Sequence, residues 1–163
     1  MLFRSEAFDH WLTGALARDG LDRFILGTGR GLVEAVGTAW GCGGLTVWHE
    51  HYFTEKFSGA IRAVLAGIPS AEARPRIMLA TPAGERHGLG LLMVQALFAA
   101  HGAACMSLGT DVPVDELLAA AAACGADVVV LSISPGFWPS RATEVLRQIR
   151  PRLPERTALW VGG

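Results

Sequence analysis

A change of hydrophobic period at Pro75 divides this chain and decides its fold class. Downstream lie four short apolar runs, RIMLAT (76–81), AACMSLG (103–109), DVVVLSIS (127–134) and TALWVGG (157–163), separated by amphipathic stretches of helical length. Runs that are apolar at successive positions suit strands covered on both faces, and strands alternating with helices imply a parallel sheet joined by right-handed crossovers. The expected architecture over 76–163 is therefore α/β, with a doubly wound, flavodoxin-like (Rossmann-like) strand order.

Upstream the apolar residues keep helical spacing. Phe8, Trp11, Leu12, Ala15 and Leu16 form one stripe, Leu32, Val33, Val36 and Trp40 a second, and Val47, Phe53, Phe57, Ile61, Val64 and Leu65 a third. Gly20, the run Gly41-Cys42-Gly43-Gly44 and the stop signal Gly67-Ile68-Pro69-Ser70 punctuate them. Residues 1–70 are thus expected to form a small helical bundle, and the short polar linker PSAEARPR predicts that it packs on the sheet half. The chain stops at Gly162-Gly163, where an open sheet would normally run on into another helix, so the sheet half is expected to be truncated.

Composition excludes whole classes of function. A chain of 163 residues with 51% hydrophobic and 18% charged residues can bury a core without disulfides or a structural metal. With 14 basic against 15 acidic residues the net charge is −1, which lacks the broad basic field of a nucleic-acid binder, so direct DNA binding is not expected. Cys42, Cys105 and Cys124 are scattered with no C-x-x-C pair, which predicts reduced thiols and a cytoplasmic protein. The apolar stretches 89–100 and 117–125 are too short to cross a bilayer, and the N-terminus has no signal-peptide core.

The segment TPAGERHGLG carries the strongest chemistry. It places Glu85, His87, Gly88 and Gly90 just beyond a strand end near Thr81, where α/β sheets bind ligands. A histidine two residues after a carboxylate can have one ring nitrogen fixed by the acid and the other directed at a metal, while the glycines admit a bulky ligand. A solvated loop histidine or a helix cap is the plainer alternative.

Residues further along the chain extend the pattern. Glu85-x-His87-x-x-Gly90, then Ser132-x-Ser134 after 41 intervening residues, then Gly162-Gly163 after a further 27, resembles the Asp-x-His-x-x-Gly, Ser-x-Leu, Gly-Gly series of methionine-synthase-type cobalamin-binding domains. Glu85 stands where that family more often has aspartate, and Ser134 where it has leucine. The resemblance implies that His87 replaces the cofactor's own base as lower ligand to cobalt, and that the displaced nucleotide tail lies beside Ser132, Ser134, Gly162 and Gly163. Helix-capping serines and a turn-forming Gly-Gly are the competing structural readings.

A second constellation lies in the helical half. Trp40, nine residues, then Glu50-His51 resembles the Trp-x9-Glu-His motif of cobalamin-dependent photoreceptors, a family that includes light-sensing transcription regulators (the CarH/LitR type) and photosynthesis antirepressors (the AerR/PpaA type). The resemblance implies that the bundle covers the upper corrin face, with Trp40 against the upper ligand and Glu50 and His51 hydrogen-bonding it. The neighbour of Trp40 is Gly41, where some photoreceptors carry a histidine that captures cobalt after illumination, so His49, His51 or water would have to serve. Core packing for Trp40 and solvation for Glu50 and His51 are the alternatives.

The implied function is a non-enzymatic, adenosylcobalamin-binding light sensor that controls transcription through a partner regulatory protein, with a homo-oligomer allowed. The N-terminal start without a winged helix-turn-helix domain places it nearer the antirepressor branch. Two other uses of the scaffold compete: a corrinoid carrier for methyltransferases, and a haem sensor, because histidine suits iron and cobalt alike. Other signals are weaker. Gly27-x-Gly29-x-Gly31 lacks dinucleotide spacing, Arg141, Arg147, Arg150, Arg152 and Arg156 read as a solvated face, Phe137-Trp138 as a loop anchor, and Ser107, His101 and Asp111 as no hydrolytic triad.

Overall fold

A computed structural model of the chain describes residues 5–69 and 74–163. Contacts divide it into two compact units that meet between Ile68 and Pro69.

In the first unit α1 spans Ser5–Asp19 and ends at Gly20, whose φ of 73° is left-handed and turns the chain. The next helix starts as α2, Leu21–Arg23, passes through a π-helical turn, Phe24–Gly29, and continues as α3, Arg30–Gly41. The glycines of the Gly27-x-Gly29-x-Gly31 run therefore lie within helix and form no phosphate-binding loop. Gly29 sits at a close approach: a Cβ there would stand 3.1 Å from both the Phe24 carbonyl and the Phe57 ring. After a glycine-containing turn, α4 spans Val47–Leu65. His49 closes its first turn by accepting the Thr46 amide on Nδ1 at 3.3 Å.

The core of this unit forms between α1, the π turn and α4. Phe8, Leu12, Phe24, Ile25, Phe53, Phe57 and Ile61 are buried, and ring contacts at 6.1, 5.5 and 5.9 Å link Phe8 through Phe53 and Phe57 to Phe24. The Lys56 ammonium reaches Asp9 at 2.6 Å and ties α4 to α1. The second stripe forms the expected helix, but α3 buries no residue: Leu32, Val33 and Val36 are half-covered and Trp40 is 50% exposed.

The second unit is a four-stranded sheet in the order β2-β1-β3-β4, all parallel. Its strands are β1 (Arg76–Pro82), β2 (Ala104–Val112), β3 (Val128–Ser132) and β4 (Ala158–Gly162). The crossovers carry α5 (Leu89–Ala100), α6 (Val114–Cys124) and α7 (Pro139–Ile149). This is the flavodoxin-like order expected from the sequence. Strand alternation feeds two cores. Ile77, Leu79, Val128 and Val130 pack with Leu91 of α5 on one face; Met78, Val129 and Leu131 pack with Leu117, Val145 and Ile149 of α6 and α7 on the other.

Two strands differ from their apolar runs. β3 stops at Ser132, so Ile133 and Ser134 belong to the following loop, and β2 runs on through Gly109 to Val112. That extension is irregular: register shifts against β1 follow Leu79 and Ala80, Gly109 has φ of 82° and Asp111 has φ of 62°. No helix among the described residues is long and apolar enough to cross a membrane.

Candidate functional site

Strand order reverses between β1 and β3, and the crevice beyond their carboxyl ends is where such sheets hold ligands. The loop from Pro82 to Gly88 opens there. A turn bond runs within it from the Glu85 amide to the Pro82 carbonyl at 2.9 Å, and further support comes from neighbouring segments.

Glu85 is the hub. Its side chain is only 2% exposed, yet it accepts four hydrogen bonds. Oε1 receives the His87 amide at 2.9 Å and faces His87 Nδ1 at 2.6 Å; Oε2 receives the Ser134 amide at 3.0 Å and the Ser134 hydroxyl at 2.6 Å. Burial alone would raise this carboxyl's pKa and is the largest single influence, but the bonds from Ser134 and His87 together outweigh it and hold it down at about 2. The carboxylate is therefore ionised at neutral pH. An anionic acceptor at Nδ1 selects the tautomer with the proton on Nδ1 and leaves the Nε2 lone pair free to ligate. The ring is 76% exposed, so Nε2 is accessible. Among the described residues no three His, Cys, Asp or Glu side chains converge as a chelate, and His87 stands as a single donor.

The glycines sit at close approaches. A Cβ on Gly88 would lie 3.1 Å from the Thr110 methyl, and one on Gly90 would lie 3.2 Å from Ser132 Oγ. Ser132 pairs in register with Gly162, whose carbonyl accepts the Ile133 amide at 2.8 Å, and a Cβ on Gly163 would collide with the Ile133 carbonyl. Gly162 itself faces open space. The sheet edge thus brings together Glu85, His87, Gly88, Gly90, Ser132, Ser134, Gly162 and Gly163, with the Ser134 hydroxyl directed to Glu85.

Three residues outside the expected site set also build this edge, among them Arg141, which the sequence placed on a solvated face. Thr81, fully buried, donates its hydroxyl to the Glu85 carbonyl at 2.5 Å; Asp111 bonds the Gly84 amide at 2.6 Å; and the Arg141 guanidinium lies over Gly84, where a Cβ would meet it at 2.6 Å. Only the φ of 88° at Gly84 had a sequence signal, a glycine beside a proline turn.

Trp40, Glu50 and His51 belong to the helical unit. Trp40 lies in the last turn of α3 and Glu50 and His51 lie in the first turns of α4, joined by the turn in which the Gly43 amide bonds the Trp40 carbonyl at 2.9 Å. Trp40 is half exposed and is no core residue. Glu50 accepts the Thr54 hydroxyl at 2.7 Å and lies 3.7 Å from His51, whose side chain is 72% exposed. The Phe137-Trp138 pair splits, with Phe137 buried and Trp138 75% exposed. Of the C-terminal arginines, Arg150 donates to the carbonyls of Thr157, Leu153 and Pro154 and Arg152 pairs with Asp115, so these two have structural partners.

The chain is 30% identical over 128 residues to the HTH-type transcriptional repressor CarH of Myxococcus xanthus, which takes in 78% of this chain and 42% of that protein. It is 30% identical over 103 residues to a corrinoid protein of Desulfitobacterium hafniense strain Y51, covering 60% of this chain and 47% of the relative. The chain therefore spans less than half the length of these curated relatives. A cobalamin-binding protein of D. hafniense DCB-2, solved as a crystal structure, aligns at a TM-score of 0.42 and 19% identity over 98% of this chain and 78% of that one. Residues 75–163, more than half of the sequence, match the family described as the B12 binding domain, and the chain belongs to that family.

Proposed function

We propose that the chain is an adenosylcobalamin-dependent light sensor that acts on transcription through a partner regulatory protein. The observation that carries this reading beyond cobalamin binding is the second constellation. Trp40 stands half exposed at the end of α3, with Glu50 and His51 in the first turns of α4, in the same chain as a B12 binding domain.

The residues fit the cofactor. A histidine whose Nδ1 is held by an ionised, buried carboxylate offers Nε2 to a borderline metal such as cobalt. Gly88 and Gly90 leave backbone where side chains would crowd Thr110 and Ser132, and Gly162 faces open space for an extended group. Bound adenosylcobalamin supplies a cobalt–carbon bond that light can cleave. His87 is assigned as the lower ligand, Glu85 and Ser134 hold its ring, and Ser132, Gly162 and Gly163 take the nucleotide tail. Trp40, Glu50 and His51 are assigned to discriminate the upper ligand. Gly41, beside Trp40, has no side chain that could ligate a metal; of the nearby histidines, His49 caps α4 and His51 is exposed and would be the available donor.

The sensor reading makes the chain non-enzymatic, cytoplasmic and, at net charge −1, dependent on another protein to reach DNA. A homo-oligomer is compatible with it. The similarity to CarH, a transcriptional repressor, supports this direction. The similarity to a corrinoid protein favours a second reading, a methyl-carrying corrinoid subunit.

The test is an absorption spectrum of the purified protein with adenosylcobalamin in the dark and after green light. A base-off, histidine-ligated spectrum that changes irreversibly on illumination and is absent in His87→Ala supports the sensor. A light-insensitive complex, with methylcobalamin bound as tightly as adenosylcobalamin, assigns the carrier. Failure to bind any cobalamin overturns both.

A further inference from the structure

We infer that Asp111, at the end of β2, is a positioning residue for His87: it clamps the backbone on which Glu85 and His87 stand. The inference deepens the cobalamin reading and rests on it for the role of His87, but the clamp is a property of the protein alone.

Asp111 is the only described non-glycine residue with positive φ, at 62°. Aspartate tolerates this region better than most residues, but the conformation is unfavourable and persists where surrounding bonds over-determine it. Asp111 is held by such bonds. Its amide donates both to the Glu85 carbonyl at 3.0 Å and to Thr81 Oγ1 at 3.0 Å, while Oδ1 accepts the Gly84 amide at 2.6 Å. Ordinary strand geometry would carry the amide and carboxylate of one residue away from a single loop. The left-handed turn lets both reach it, so one residue fixes Gly84 and Glu85 together.

The division of labour is set by the partners. Ser134 holds the Glu85 side chain, whereas Asp111 and Thr81 hold the Glu85 main chain. With both ends fixed, the 2.6 Å contact from Glu85 Oε1 to His87 Nδ1 is a preset geometry. The remaining partner of Asp111, the Arg86 guanidinium at 3.8 Å, is 84% exposed and adds little. The Arg141 guanidinium of α7 also lies against Gly84, where a Cβ would meet it at 2.6 Å.

Three variants separate the clamp from a general effect on folding. Asp111→Gly removes the carboxylate and relieves the unfavourable φ, Asp111→Asn retains an Oδ1 acceptor, and His87→Ala supplies the background for a double variant. In the protein without cofactor, amide exchange followed by NMR is expected to accelerate at Gly84 by about tenfold or more in Asp111→Gly, as for loss of a charge-assisted hydrogen bond, and far less in Asp111→Asn. The His87 imidazole nitrogen signals should move from an Nδ1–H tautomer towards the mixture of a free histidine. Titration with adenosylcobalamin is expected to show a weaker complex with less histidine ligation in Asp111→Gly, and no further loss when the same change is made in His87→Ala.

Unchanged Gly84 exchange and an unchanged His87 tautomer in Asp111→Gly would overturn the clamp, and additive losses in the double variant would overturn its action through His87. If wild-type protein binds no cobalamin, the proposed function falls, whereas the exchange and tautomer measurements still decide whether Asp111 presets His87.

Discussion

Glu85 concentrates the chemistry of the site in one side chain. Four donors converge on its two oxygens, two from His87 and two from Ser134. Glutamine has nearly the same shape but only one acceptor, so Glu85→Gln would turn an NH2 group towards donors on one side or the other. A buried mismatch of this kind costs about 1–3 kcal/mol, and loss of the group that orients a metal-ligating histidine typically costs 10- to 100-fold in affinity. Glu85→Gln is therefore expected to lower the melting temperature and to weaken adenosylcobalamin binding about tenfold or more, read by spectrophotometric titration. Ser134→Ala removes one of the four bonds and leaves its amide in place, and its loss should be the smaller of the two. The residue types of this site were legible in the sequence, because a Glu-x-His-x-x-Gly loop after a strand has a chemical meaning. That Ser134 serves Glu85 was not legible, since the two are 49 residues apart and meet only through the β1–β3 pairing. Asp111 was less legible still, because its role depends on a backbone conformation that its residue type merely permits.

At the scale of elements, periodicity marks the strands and helices and fails where backbone geometry takes over. The apolar runs at 76–81 and 127–134 mark strands because both faces of β1 and β3 are covered, and Leu79, wholly buried at the centre, should cost about 2–5 kcal/mol when cut to alanine. Val161, 47% exposed on edge strand β4, is expected to tolerate threonine within about 1 kcal/mol. Urea unfolding of the two variants tests the contrast between central and edge strand. The end of β2 escaped periodicity because positive φ at Gly109 and Asp111 shifts register without changing hydrophobicity. The α3 stripe does mark a helix, but one whose apolar residues are only half covered. Asp127 joins the starts of three strands: Oδ2 accepts the Arg76 amide at 2.8 Å, its amide bonds the Arg76 carbonyl at 2.9 Å, and its carbonyl accepts the Ala158 amide at 3.0 Å. The Arg76 amide, the largest influence, and the Arg74 guanidinium together hold its carboxyl below the usual value against the opposing effect of desolvation. A folded pKa below the unfolded one adds stability above about pH 4, which is lost as pH falls through the folded value. Asp127→Asn should thus melt below wild type at pH 7, and the gap should close in melts below about pH 4.

The chain divides into two units, and the proposed function gives them different tasks. The B12 binding unit holds features common to any cobalamin, namely a single imidazole donor on a buried anionic hub and glycines where backbone must be approached. The helical unit leaves Trp40 half exposed and a Glu50-His51 pair at the same end, features that a generic corrinoid carrier does not need. A ligand shifts a conformational equilibrium only through contacts that differ between states, so on the proposed sensor reading the signal would run through residues that contact the upper ligand. The two units should then separate in mutants of the full chain. His87→Ala is expected to weaken adenosylcobalamin and methylcobalamin alike, by at least about tenfold, because both present cobalt to the same imidazole. Trp40→Ala should leave methylcobalamin binding nearly unchanged while weakening adenosylcobalamin about tenfold, the scale of removing one aromatic side chain from a desolvated site. Competitive titration of the two cobalamins against wild type and each variant reads the ratio directly. A ratio that changes in His87→Ala and holds in Trp40→Ala would reverse the assignment of the two faces and remove the helical unit from ligand sensing.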